Sequence, residues 1–174
     1  KVLIAYDTLH GSTAETAEFL GKELGRKGHT VDVRHIAEVG DTIDYEMLII
    51  GSPVVVGKWT DNMLSFIQRH HQVISQRQVA IFTTCLASLW GQKAEDVIAR
   101  YIAPILVEFP GLNPVSIGVF GGVLDFELYT ADTKASMQKI AGAHGGPVEG
   151  RHDYRDWDAM KRWVNDLNNL LGGK

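Results

Sequence analysis

Val2-Leu3-Ile4-Ala5-Tyr6-Asp7-Thr8-Leu9-His10-Gly11-Ser12-Thr13 is the stretch on which the fold turns. Its first five residues form a short apolar and aromatic run, as in a strand buried on both faces. Ala14, Ala17, Leu20 and Leu24 then recur at helical spacing, and the pattern ends near Gly28. Between strand and helix stand Thr8, Ser12 and Thr13 with Gly11, and neither Lys nor Arg. A helix N-terminus presents unpaired backbone N–H groups and the positive end of the helix dipole. Gly11 lets the main chain approach an anion closely, and the hydroxyls add donors. Capping the helix would take only one of them. Three hydroxyls and a glycine at the first strand-to-helix crossover read instead as a cradle for a phosphate.

Further along, apolar runs keep alternating with helical patterns. Val31-Asp32-Val33-Arg34-His35-Ile36 alternates in polarity, as a half-exposed edge strand does. Met47-Leu48-Ile49-Ile50 reads as a buried third strand, followed by a helix with Met63, Phe66 and Ile67 inward. Val79-Ala80-Ile81-Phe82 is a fourth strand. Ala94, Val97, Ile98, Tyr101 and Ile102 mark a helix disturbed at Pro104. Val115-Ser116-Ile117-Gly118-Val119-Phe120 is a fifth strand. Met137 and Ile140 mark a short helix, and Trp157, Met160, Val164, Leu167 and Leu171 mark a last one. Five strands alternating with helices predict a doubly wound α/β fold: a five-stranded parallel sheet, order 2-1-3-4-5, with helices on both faces. Ligands of such sheets bind beyond the carboxyl ends of the strands, at the switch point between strands 1 and 3. The loops after Tyr6, Ile50, Thr84 and Phe120 are therefore the functional ones.

Other phosphate-loop chemistries fail on specific residues. A nucleoside triphosphate loop needs Gly-Lys-Ser/Thr, and no lysine is present. A dinucleotide fingerprint needs three spaced glycines, and only Gly11 is there. An aspartate-nucleophile phosphatase would have a second Asp where Leu9 stands. A phospho-receiver would end its third strand on Asp, where Gly51-Ser52-Pro53 stands.

On these residues the sequence resembles the flavodoxin superfamily, whose phosphate loop reads roughly Ser/Thr-x-Thr-Gly-x-Thr. Thr8, Gly11 and Thr13 match it, Ser12 fills the variable position, and His10 replaces a Thr. The nearest likeness is the menaquinone-dependent protoporphyrinogen dehydrogenase-like branch. It rests on a short Thr-x-x-Gly-x-Thr loop, on Gly145-Gly146, and on Asp153-Tyr154-Arg155-Asp156-Trp157 opening the last helix. That branch carries a basic segment before the paired glycines; residues 125–132 here are acidic without a base, which predicts action without membrane attachment.

The resemblance implies FMN as cofactor. Thr8, Leu9, His10, Gly11, Ser12 and Thr13 would hold its phosphate. Pro53, Val54, Val55, Val56, Gly57 and Trp59 would meet the ring, with Gly57 supplying a peptide able to turn toward it and Trp59 as candidate stacker. Thr84, Cys85, Leu86, Trp90 and Gly91 would flank its pyrimidine side, and the turn at Gly121-Gly122 would form an outer wall. Cys85 has no neighbouring base and reads as a small apolar residue. No catalytic side chain is required, since the cofactor carries the chemistry.

Length and composition agree with one domain spanning 1–174. The net charge of −4, with Lys and Arg dispersed, gives no reason to expect nucleic acid. A lone cysteine allows no internal disulfide and fits a cytoplasmic location. No apolar stretch approaches the roughly 20 residues that span a bilayer, no secretory leader is expected, and the seven histidines show no metal-ligand spacing. The expected activity is two-electron transfer with a small organic substrate such as a quinone or porphyrinogen-like ring. The alternative is a carrier passing single electrons between partner proteins. His70-His71 reads as a solvated helix end, and self-association is compatible with Trp157 and Trp163 on the last helix.

Overall fold

The computed structural model describes residues 1–40 and 44–172. Strands β1 (Val2–Tyr6), β2 (Val31–His35), β3 (Met47–Val55), β5 (Gln78–Cys85) and β6 (Pro114–Gly121) form a parallel sheet in the order β2-β1-β3-β5-β6. A short β4 (Lys58–Trp59) folds back antiparallel on β3. With that hairpin strand set aside, the order is the expected 2-1-3-4-5.

The pleat of the strands divides the core. Val2 and Ile4 of β1, with Met47 and Ile49 of β3, face α1 (Ser12–Arg26) and α6 (Trp157–Leu170). Leu3, Ala5, Leu48 and Ile50 face the opposite way, onto α2 (Asp61–Ile74) and the segment 94–108. A sheet buried on both faces explains the unbroken apolar runs Val2–Ala5, Met47–Ile50 and Val79–Phe82 in its central strands. Gly51 is where the sheet makes room for a large ring: a Cβ there would meet the Phe82 ring at 2.0 Å.

The segment before Pro104 is broken as expected. α3 (Ala94–Val97) runs into a π-helical turn over Ile98–Ile102 and then α4 (Ala103–Glu108). Pro104 lacks the N–H that would continue regular pairing.

Four expectations need correction. β3 runs to Val55 instead of stopping at Ile50. Its Pro53 is tolerated because Gly51 accepts from the Asp7 N–H at 3.0 Å and so faces β1; Pro53, two residues on, faces the same side, where β1 has ended. β5 likewise runs to Cys85. Ile140 is exposed, and α5 (Ala131–Ala143) instead buries Ala141. His70 is buried beside Phe66, ring centroids 4.6 Å apart, because α2 extends to Ile74 and keeps that face inward.

A further element had no counterpart in the sequence reading. β7 (Val123–Asp125) pairs antiparallel with β8 (Arg151–Asp153), and α5 lies between them in the chain. Leu124, Phe126 and Ala141 form a small apolar cluster there, joined by Leu86, Leu89, Trp90, Tyr129, Met137 and Tyr154.

Candidate functional site

The cleft lies at the carboxyl ends of β1, β3 and β5, at the switch point of the sheet. Its cavity volume is about 190 Å³, and it opens to solvent. Leu9, His10, Ser12 and Thr13 bound one end. Pro53, Val54, Val55 and Val56 form one flank, Thr84, Cys85 and Leu86 the floor. Gly122, Val123, Tyr129, Thr133 and Met137 form the outer wall. A smaller recess continues past His10 and Ser12 to Asp125 and Arg151.

The first end is set by how α1 begins. α2, α5 and α6 each start on a side chain that accepts an N–H of the first turn: Thr60 from Met63, Thr130 from Thr133, and Asp156 from Ala159. α1 starts on Gly11 at φ 92° with no side-chain cap. Its first-turn N–H groups are therefore left for an outside acceptor. Space is also open above Gly11, where an added Cβ would meet nothing within 4 Å. Thr8 shapes the turn, its Oγ1 accepting from the Gly11 N–H at 3.0 Å. An uncapped helix start beside hydroxyls, with the first-turn carboxylate Glu15 paired to Arg155, fits a phosphate group.

Thr13 occupies a different position from the one its neighbours suggest. It is buried, and its hydroxyl shares a hydrogen bond with Thr84 Oγ1 at 2.7 Å. It thereby ties the phosphate-sized end to the floor of the cleft.

The hairpin flank carries backbone strain. Val56 and Gly57 lie at φ 48° and 78°, between the paired residues Val55 and Lys58. Two consecutive positive φ values make the tight turn that matches strand twist, and Asn-Gly is its usual sequence. A β-branched residue there is an outlier. Val56 is nevertheless 97% exposed at the mouth of the cleft, an apolar side chain held out on a strained turn. Gly57 has the expected backbone freedom, but it lies just outside the lining.

Trp59, Trp90 and Gly91 are not among the residues that line the cleft. Trp59 is 1% exposed, packs in the core on the α2 side, and donates from Nε1 to Thr83 Oγ1 at 3.1 Å. The hairpin reverses the chain before Trp59, so its ring turns under the sheet edge and away from the cleft. A 3-10 turn over Ala87–Trp90 follows β5, and Trp90 joins the small cluster of Leu124, Phe126 and Ala141 behind the outer wall. Trp90 packs against His144, ring centroids 5.2 Å apart.

The aromatic residue that does line the cleft is Tyr129, which the sequence reading missed. Its ring meets His10 edge-on at 5.4 Å and Phe126 at 6.1 Å. No periodicity marks it. The only signal was its place downstream of the Gly121-Gly122 turn already read as a wall. That turn is fixed from both sides: the Gly122 N–H donates to Cys85 O at 2.9 Å, and its carbonyl accepts from the Tyr154 N–H at 3.0 Å. Burial raises the Tyr129 hydroxyl above the ordinary tyrosine pKa, and burial likewise pushes the Cys85 thiol up. Cys85 therefore stays a neutral thiol in the floor, with no thiolate character.

Residues 125–132 are acidic in sequence, but distant cations reach them. Arg151 pairs with Asp125 at 3.5 Å, and Lys134 with Glu127 at 3.4 Å. Among the described residues, no helix is long and apolar enough to cross a membrane.

Comparison with known proteins agrees with this arrangement. A protoporphyrinogen IX dehydrogenase (quinone) of Leishmania major is 24% identical over 172 residues, covering 96% of this chain and 74% of that protein. A flavodoxin from the domain Archaea superposes with a TM-score of 0.61 at 18% identity, covering 98% of both chains. A flavo di-iron protein of Thermotoga maritima gives a TM-score of 0.60 at 17% identity, covering 98% of this chain and 36% of that one. These two likenesses establish the fold. Residues 3–150 match the flavodoxin domain family, which binds FMN, and the chain belongs to that family.

Proposed function

We propose that the chain binds one FMN in this cleft and acts as an oxidoreductase, moving two electrons to or from a small organic ring such as a quinone or a porphyrinogen. The observation that carries the reading is the cleft's division: an uncapped helix start at one end and an apolar, walled slot at the other. In this arrangement the α1 N-terminus and the hydroxyls of Thr8 and Ser12 hold the phosphate. Val54, Val55, Leu86 and Val123 exclude water from the ring, and Tyr129 with Met137 narrows the opening. Bound FMN supplies the electron or hydride transfer.

The alternative is a carrier between protein partners, whose docking would draw on an uncompensated charged surface. The pairing of Asp125 with Arg151 and of Glu127 with Lys134 removes much of the acidic character beside the cleft. The α5 wall adds enclosure that a shuttle does not need. Both favour a small substrate, as does the dehydrogenase name of the Leishmania relative.

Mass spectrometry of the chromophore released from reconstituted protein tests the cofactor: FMN is expected, and FAD or no flavin overturns the reading. Steady-state turnover of the loaded protein against quinones and porphyrinogens tests the activity. Failure with every small acceptor, together with rapid electron exchange with a redox protein, would establish the carrier.

A further inference from the structure

Behind the phosphate end lies a buried carboxylate that the cofactor itself would not touch. Asp7 is 3% exposed and is the first residue after β1. Four elements converge on it. The Thr8 N–H donates to its Oδ1 at 2.9 Å. His35, the last residue of β2, lies with Nε2 at 3.1 Å from the same oxygen. The hydroxyl of Thr60, the cap of α2, donates to Oδ2. The Asp7 N–H donates to Gly51 O on β3. The histidine's role is fixed from behind: its Nδ1 accepts from the Ala37 N–H at 3.2 Å. Nε2 therefore carries a proton and donates to Asp7.

We propose that Asp7 is a positioning residue for the phosphate loop: gripped by His35 and Thr60, it holds Thr8, and through Thr8 the turn at Gly11, in the conformation that receives the cofactor phosphate. This rests on the FMN reading above and adds to it a residue outside the cleft lining. The path is continuous. His35 and Thr60 fix the carboxylate, its Oδ1 fixes the Thr8 N–H, and Thr8 Oγ1 accepts the Gly11 N–H. Gly11 is the residue at φ 92° from which the uncapped helix begins. Apart from the Thr8–Gly11 bond and the edge-on contact of His10 with Tyr129, Asp7 is what ties this turn to the sheet. A loop left to sample several conformations would lose the phosphate before it lost the ring.

The experiment compares FMN with riboflavin, which has the ring but no phosphate, by fluorescence-quenching titration of apoprotein. The readout is the ratio of the two affinities. Asp7→Ala should reduce FMN affinity by at least about thirtyfold and riboflavin affinity by less than about threefold, on the scale of one or two lost loop-ordering hydrogen bonds. Asp7→Asn keeps an acceptor for Thr8 and an amide toward Thr60, and should restore FMN affinity to within about fivefold of the parent. His35→Gln should resemble the parent, because its amide can donate to Asp7, whereas His35→Leu should follow Asp7→Ala. The His35 pair keeps the test open if Asp7→Ala does not fold.

An unchanged FMN-to-riboflavin ratio in Asp7→Ala and in His35→Leu overturns the proposal. So does a ratio that Asp7→Asn and His35→Gln fail to restore. If the parent binds neither flavin, the FMN reading falls and takes this inference with it. If the parent binds FMN and only the ratio refuses to move, Asp7 alone is wrongly placed.

Discussion

At one end of the cleft the chain offers backbone N–H groups from an uncapped helix, with the hydroxyls of Thr8 and Ser12; at the other it offers Val54, Val55, Leu86, Val123 and Met137. The first end is continuous in sequence: the loop between β1 and α1 and the first residues of that helix. The second is gathered from four separate segments: the hairpin, the end of β5, the step after β6, and α5. A charged group is best held by preorganised dipoles, and a helix start supplies several from a few adjacent residues. A flat apolar ring is held by enclosure, which needs walls on several sides and so residues far apart in the chain. Affinity for charge should then be sensitive to the ligand's phosphate, and affinity for the ring to the positions of distant walls.

The largest effect should come from changing the ligand. Riboflavin forfeits the phosphate contacts, and charge-assisted hydrogen bonds are worth about 1.5–3 kcal/mol each. Losing two of them lowers affinity by roughly 10²- to 10⁴-fold. Calorimetric titration of the apoprotein with both flavins checks this. Equal affinities would erase the distinction between the ends.

Next should be the outer wall. A Cβ at Gly121 would lie 1.9 Å from the carbonyl oxygen of Tyr154, a backbone atom that cannot rotate aside. Gly121→Ala should cost about 2–3 kcal/mol of stability, at the upper end for overpacking. That corresponds to a fall in Tm of roughly 5–10 °C for a chain of this size. The strain falls between β6 and the residues that follow β8, so riboflavin and FMN affinity should drop together. A loss confined to FMN would mean that this wall serves the phosphate end.

Thr13→Val probes the seam. Because the Thr13 hydroxyl bonds to Thr84, its removal should weaken both ends. At about 0.5–1.5 kcal/mol for a neutral hydrogen bond, both flavins should bind roughly two- to tenfold more weakly. Selective loss of FMN would instead return Thr13 to direct phosphate binding, as its place in the loop suggested.

The same contrast explains what could be read from sequence. The framework was legible because buried strands and amphipathic helices obey short periods: Val2–Tyr6, the stripe on α1, and the alternating edge strand β2 all fall where the pattern put them. The loop after β1 was legible as part of the cleft lining because it is local. The ring end was only half so. Pro53, Val54, Val55, Val56, Thr84, Cys85 and Leu86 follow from knowing where strands end, and all line the cleft. Trp59 and Trp90 were misplaced because a two-residue hairpin and a 3-10 turn each redirect the chain, and hydropathy carries no trace of either. Tyr129 and Met137 come from a segment held by β7–β8 pairing, three residues a strand, too short for any period to register.

The smallest effect, and the sharpest test of the ring end, concerns Val56. The left-handed conformation costs a non-glycine residue about 1–2 kcal/mol, and branching at Cβ places valine among the least suited. Asn adopts it readily and would complete the Asn-Gly pair this turn prefers. Glycine would be a poorer probe, because the added freedom of the unfolded chain offsets the relief. Val56→Asn should therefore raise stability by about 1 kcal/mol, a Tm gain of roughly 2–4 °C. If the exposed valine is kept because it covers one side of the ring, the same change should weaken FMN and riboflavin alike, by less than about tenfold for one lost apolar contact of about 1 kcal/mol. Thermal melts of the apoprotein and titrations with the two flavins separate the two quantities. Stabilisation with undiminished flavin affinity would mean the strained valine serves something other than the ring, such as the docking of the substrate at the mouth of the cleft.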